Sequence, residues 1–251
     1  MPTIPYLLHF VWIDFRDESN MNPSIPDKYI RNIERCTTIN HGFDVKVWNG
    51  HMCRNLIVQE YPWFLATYDG YRYPIMRCDA IRYFILYHYG GVYLDIDTVC
   101  IRSMSTLVDS DKYETMLANQ GTSSYMLTNL FMASSHLGPF MLSCLDAFRK
   151  THMQTGIQFL DVMNTTGPMF LTLQYQKYKP KSNILVLGHE VNPCNACGSC
   201  THLDDAYNIH YFDRSWNNTS TSLLRLVYCN VMYLIVLVMI CGAAIWYTNM
   251  Y

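Results

Sequence analysis

Charge is scarce in this sequence. Only 15% of its 251 residues are charged against 50% apolar, and 18 Lys and Arg set against 20 Asp and Glu leave a formal net charge of −2. No run of basic residues occurs. Binding to a phosphate backbone needs clustered Lys and Arg, so nucleic acid is excluded as a partner. Internal repeats, low-complexity tracts and Gly/Ser linkers are also lacking, which excludes a solenoid and a flexible tandem and leaves one main unit. The opening "MPTIPYLLHFVW" has neither a basic leader nor a small-residue cleavage site and does not read as a signal peptide.

What is present in excess is apolar, and it is unevenly spread. "LVYCNVMYLIVLVMICGAAIWY" (226–247) has no charged side chain, and Asn230 is its one strongly polar residue. At about 1.5 Å per helical residue it spans a hydrocarbon core of roughly 30 Å. The expected organisation is a domain over 1–212, a polar junction over 213–225 and a single-pass transmembrane anchor over 226–247, placing the protein on an endomembrane of ER or Golgi type. The side it faces stays open. Arg214 and Arg225 before the anchor favour a cytosolic domain. The sequons at Asn164, Asn217 and Asn218, with 10 cysteines, favour an oxidising lumen.

The first hundred residues alternate strand-like and helix-like runs. "YLLHFVWI" (6–13) reads as a strand, "PDKYIRNIERCTTIN" (26–40) as a helix opened by Pro, and "FDVKVW" (43–48) as a second strand. This predicts an α/β domain with a mixed, mostly parallel sheet flanked by helices. "PIMRCDAIRYFILYHYGG" (74–91) is the clearest helix, with Pro74 in its first turn, Ile81, Phe84, Ile85 and His88 at helical spacing, and Gly90 as its cap.

The stretch "GVYLDIDTV" follows at once. Read as one strand, it turns Val92, Leu94 and Ile96 to the core and Tyr93, Asp95 and Asp97 to a cleft at the strand's C-terminal end, where α/β proteins bind ligands. Strand spacing sets the two aspartates roughly 6 to 7 Å apart, which favours a division of labour: one on a divalent cation, the other on a ligand hydroxyl or metal-bound water. Carboxylates with an incomplete shell suit Mg²⁺ or Mn²⁺. Solvated strand-end aspartates are the bland alternative. A sharper one is a haloacid-dehalogenase-type phosphatase with Asp95 as nucleophile.

The run "RCDAIRYFILYHYGGVYLDIDT" resembles the signature of the DXD-containing sugar glycosyltransferases of family GT32, whose members include yeast Golgi mannosyltransferases and inositol-phosphorylceramide mannosyltransferases; large clostridial glucosylating toxins are similar at greater distance. "IPYLLHFVWI", "HGFDVKVWN", "NTTGPMFLT" and "IHYFDRSW" resemble further family segments in the same order, so the likeness spans residues 4–216.

The resemblance implies a GT-A fold and a retaining, metal-dependent enzyme. It moves a hexose, mannose from GDP-mannose as first choice or another from a UDP-hexose, to a lipid or glycan acceptor, such as a sphingolipid, near the membrane. It assigns Trp12 to the nucleobase, though a buried structural Trp fits equally. Asp79 and Arg82 go to donor hydroxyls and phosphate, with a surface ion pair as the alternative. Tyr93 and Asp95 contact the sugar or ribose, Asp97 and His210 hold the metal, and Ser215 and Trp216 close over the diphosphate. Asn129 lies near the donor.

Two departures stand out: "DFRDESN" lacks the glycine often found after the first strand, and the His210 to Ser215 spacing varies among relatives. No second carboxylate stands out as nucleophile, which leaves a front-face displacement. A non-catalytic, membrane-anchored scaffold on a decayed transferase fold is the remaining rival.

Other residues point elsewhere. Cys194, Cys197 and Cys200, near His189 and His202, suggest zinc less than a loop disulfide or free thiols. His9 on an apolar strand reads as a satisfied core histidine, and His88 as helix packing.

Overall fold

Pro5 ends an irregular lead-in, and the apolar run after it has no glycine or acidic residue to break a strand. In the computed structural model, which describes residues 3–14, 20–109, 112–119, 126–151, 155–194, 197, 200–201 and 203–213, it forms β1 (Leu7–Val11). Then come α1 (Asp27–Ile39), β2 (Asp44–Trp48), α2 (Gly50–Glu60), the short α3 (Leu65–Asp69), α4 (Pro74–Tyr89), β3 (Gly91–Leu94), β4 (Thr98–Cys100) and the single turn α5 (Ser105–Val108). The second half holds β5 (Thr115–Asn119), β6 (Leu127–Ser134), α6 (Pro139–Phe148), α7 (Gln158–Thr165), α8 (Pro168–Lys177), β7 (Ile184–Leu187) and β8 (Asn208–His210).

Six strands form one mixed sheet in the order β2-β1-β3-β6-β5-β7, while β4 and β8 make a separate ribbon. The β2, β3 and β7 pairings to β1 and β5 are parallel; those of β6 to β3 and β5 are antiparallel. The C-terminal ends of β1, β2, β3, β5 and β7 and the start of β6 therefore share one edge of the sheet. Ligands bind beyond the carboxyl ends of such strands.

Helix α4 is not amphipathic as its spacing suggested. It is buried from Ile75 to Leu86 except at Arg77, because it lies in the larger core cluster with Phe64, Phe148 and Phe170. Pro74 does open it and Gly90 does cap it, at φ +68. Gly91 follows at φ +95, where a Cβ would stand 2.6 Å from the Leu7 carbonyl oxygen. Only glycine lets β3 approach β1 this closely.

His9 is the satisfied core histidine expected. It is 1% exposed; its Nε2 lies 2.9 Å from the Gly90 carbonyl and Trp48 Nε1 donates to its Nδ1 at 3.2 Å. A disulfide joins Cys36 of α1 to Cys100 of β4. Cys194 and Cys200 form the loop disulfide foreseen as one reading of the cysteine cluster, which removes both as zinc ligands. Among the described residues no helix is long and apolar enough to cross a membrane; the expected anchor over 226–247 lies outside them.

Candidate active site

The strand expected to run through Asp97 ends at Leu94. Asp favours the first position of a tight turn, since its carboxylate can accept nearby N–H groups. Here the Thr98 N–H donates to the Asp95 carbonyl at 3.0 Å, and the chain reverses into β4 on the other sheet. Asp95 and Asp97 thus sit on a turn and not on one strand face, and the turn draws them together.

His210 completes the group. Antiparallel pairing sets it opposite Thr98, with its Nε2 2.8 Å from Asp97 Oδ1 and 3.4 Å from Asp95 Oδ2. One ligand atom from each of the three lies within 4.8 Å of the others. Both carboxylates and the imidazole can therefore share one ion, in place of the division of labour read from strand spacing. Burial works to lower the imidazole pKa, but the hydrogen bonds to Asp95 and Asp97 outweigh it and raise it to about 9.

Beneath the turn lies Arg82, 3% exposed. Its Nη2 is 2.7 Å from Asp79 Oδ1, while Nη1 donates to Asp95 Oδ1 at 3.1 Å and to the Asn129 carbonyl at 2.6 Å. The guanidinium carbon lies 4.5 Å from the Tyr93 ring centroid. The surface ion pair weighed for Asp79 and Arg82 is thus corrected to a buried one. Tyr93 does not face a cleft either: it is 1% exposed and reaches the site only through its hydroxyl, which donates to Asp95 Oδ1 at 2.8 Å.

The two carboxylates on Arg82 fare differently. Burial pushes Asp79 up to about 6 despite Arg82. Burial also acts to raise Asp95, yet Arg82, His210 and Tyr93 together hold it below the usual range. Asn129 braces this arrangement, its amide donating to Asp79 Oδ1 at 3.1 Å. Gly167, of the "TGP" segment, lets α8 start tight against the end of α7, where a Cβ would stand 3.0 Å from the Val162 carbonyl oxygen and 3.4 Å from Asp79 Oδ2.

Trp12 follows β1 at the same sheet edge, half-buried. Its Nε1 donates to the Ser24 carbonyl at 3.1 Å, and its ring packs at 53° on Tyr29, 5.2 Å between centroids. Sequence reasoning missed what lies beyond. The Asp213 N–H donates to Asp97 Oδ2 at 2.7 Å, while the Asp213 carboxylate accepts from the Tyr29 hydroxyl at 2.6 Å and pairs with Lys28. Asp213 thereby ties α1 to the aspartate turn. No local signal announces contacts this far apart in the chain. Ser215 and Trp216 lie outside the described residues.

The mixed sheet, with its acidic turn at the strand-end edge, defines a GT-A-like glycosyltransferase fold. The solved PaToxG glycosyltransferase shares it, with a TM-score of 0.55 at 16% identity over 71% of each chain. Residues 26–114 match the family described as "Glycosyltransferase sugar-binding region containing DXD motif", which bears out the resemblance read from the motifs.

Among curated proteins, the chain is 35% identical to mannosyl phosphorylinositol ceramide synthase CSH1 of Saccharomyces cerevisiae, over 63% of this chain and 41% of the relative. It is 32% identical to mannosyl phosphorylinositol ceramide synthase SUR1 of the same yeast, over 81% and 53%. The chain spans about half the length of these relatives.

Proposed function

We propose that this protein is a metal-dependent, retaining glycosyltransferase that moves mannose from GDP-mannose to the head group of an inositol-containing sphingolipid. The grouping of Asp95, Asp97 and His210 on the turn after β3 carries the reading. An oxygen and imidazole donor set of this kind suits Mn²⁺, with Mg²⁺ as the alternative. The acceptor is taken from the names of the curated relatives.

Asp97, His210 and Asp95 Oδ2, the oxygen that Arg82 and Tyr93 leave to face His210, would hold the cation. Once bound there, it would supply positive charge against the departing diphosphate, the electrostatic help that such a transfer most needs. Arg82 and Tyr93 fix Asp95 from below, Asp213 fixes Asp97 from the side, and Trp12 offers a ring at the same edge for the nucleobase. Ser215 and Trp216 keep their proposed part in closing over the diphosphate.

The phosphatase alternative fits less well, because Asp95 Oδ1 is engaged by both Arg82 and Tyr93. Disulfides at Cys36–Cys100 and Cys194–Cys200 suit the oxidising lumen of an endomembrane compartment, with 226–247 as its anchor.

The test is nucleoside-diphosphate release by detergent-solubilised full chain, across GDP- and UDP-sugars with Mn²⁺. The expected result is release from GDP-mannose that Asp97→Asn lowers by 100-fold or more. Release from a UDP-sugar alone would reassign the donor, and no release from any donor would sink the enzymatic reading.

A further inference from the structure

The inward face of the β4–β8 ribbon carries polar side chains that nothing among the described residues satisfies. In both strands the burial alternates, with the middle residues Val99 and Ile209 partly exposed and the outer ones buried. Thr98 pairs with His210 and Cys100 with Asn208, so these four side chains share the buried face. The Cys36–Cys100 disulfide shows that α1 covers it.

Thr98 and Asn208 are 0% exposed and His210 is 7%. Yet Thr98 Oγ1, both amide atoms of Asn208 and His210 Nδ1 have no hydrogen-bond partner among the described residues. Because both Asn208 atoms lack one, a flipped amide does not cure the deficit. An unpaired buried polar atom costs about 1 to 3 kcal/mol, and folded proteins meet such groups with enclosed water that takes roughly two to four polar partners. Thr98, Asn208 and His210 supply three.

We propose that an ordered water enclosed between Thr98 and Asn208 holds the Nδ1 edge of His210, so that the ring presents Nε2 to Asp95 and Asp97. Asn208 and Thr98 are then positioning residues of the metal centre, acting through the imidazole. A histidine ligand is aimed by whatever its other nitrogen bonds, and losing that partner costs about 10- to 100-fold in metal affinity. The inference rests on the metal-dependent reading above.

The test uses the full chain in detergent and the free Mn²⁺ signal in electron paramagnetic resonance. Asn208→Leu, close in size and without polar atoms, is expected to weaken Mn²⁺ binding at least 10-fold while keeping a wild-type unfolding midpoint or a higher one. Asn208→Asp, which retains an acceptor, is expected to recover part of the affinity. A purely structural role would shift the unfolding midpoint and leave Mn²⁺ affinity within twofold, and that result overturns the proposal. Should Asn208→Leu not fold, Thr98→Val carries the same expectation and the same overturning result. Failure of the wild type itself to bind Mn²⁺ would instead remove the metal-dependent reading, and the inference with it.

Discussion

Arg82 holds one positive charge between two carboxylates in a place water barely reaches. Lysine cannot replace it, because only the guanidinium fork reaches Asp79, Asp95 and the Asn129 carbonyl together. Removing the charge takes the counter-ion from Asp79, which keeps the neutral Asn129 amide, and leaves Asp95 to His210 and Tyr93. Breaking a buried ion pair in this way costs about 3 to 5 kcal/mol. Arg82→Met is therefore expected to lose about that much unfolding free energy in a urea titration, and Arg82→Lys somewhat less. A loss under about 1 kcal/mol in Arg82→Met would show that the two carboxylates are relieved by protonation and not by Arg82.

Whether this site can be read from sequence also turns on single residues. Arg82, Asp95 and Asp97 announce themselves within one short run, but that run cannot show that Arg82 lies underneath the aspartates. His210 carries no local signal, since β8 is only three residues long and its partner β4 lies over a hundred residues away. The family resemblance alone pointed to it. Lys28, Tyr29 and Asp213 went unseen for the same reason.

At the scale of elements, β1, α1, β2 and α4 were legible because each carries its own period and its own boundary residues. The end of β3 was not, because alternation continues in "YLDIDTV" after the strand has stopped. The Asp at the head of the turn was the available sign. What fixes the start of β3 is the histidine of β1. Trp48 Nε1 donates to His9 Nδ1, so Nδ1 carries no proton and the Nε2 N–H donates to Gly90.

Burial is the main cause that lowers the His9 pKa to about 4; the Gly90 carbonyl opposes it and Lys46 adds to it. The unfolded chain takes up this proton below its ordinary value of about 6.5, whereas the folded protein takes it up only near 4. The contribution of neutral His9 is thus complete above pH 6.5 and is lost as pH falls toward 4, to the extent of about 3 kcal/mol. Asp79, pushed up to about 6, acts with the opposite sign over part of this range. The decisive quantity is therefore the wild-type stability minus that of His9→Gln. It should shrink steadily from pH 6.5 to 4.5 in unfolding titrations, and a difference that stays constant would refute the assignment.

At the scale of the whole molecule, the aspartate turn is held between two bodies: the main sheet, which supplies Arg82 from α4 and Tyr93 from β3, and the β4–β8 ribbon, which supplies His210. The Cys36–Cys100 disulfide links α1 to that ribbon, and the chain between the two cysteines includes β2, α2, α3, α4 and β3. Which cysteines pair could not be deduced from the ten in the sequence. Closing a loop with a sequence separation of 64 removes about 4 kcal/mol of unfolded-chain freedom in the entropy model, and natural disulfides contribute about 2 to 5 kcal/mol. The double variant Cys36→Ala, Cys100→Ala is accordingly expected to lose about 2 to 4 kcal/mol in urea unfolding. Because Thr98, two residues before Cys100, pairs with His210, Mn²⁺ affinity should fall in the same variant. Loss of stability with Mn²⁺ affinity unchanged would mean that the non-covalent ties from α1, Lys28 and Tyr29 to Asp213, Asn32 to the Ile96 carbonyl and Arg35 to the Cys100 carbonyl, hold the turn and ribbon without the crosslink. Loss of both would mean that the crosslink, which closes three residues after Asp97, sets the geometry of the Asp95, Asp97 and His210 group.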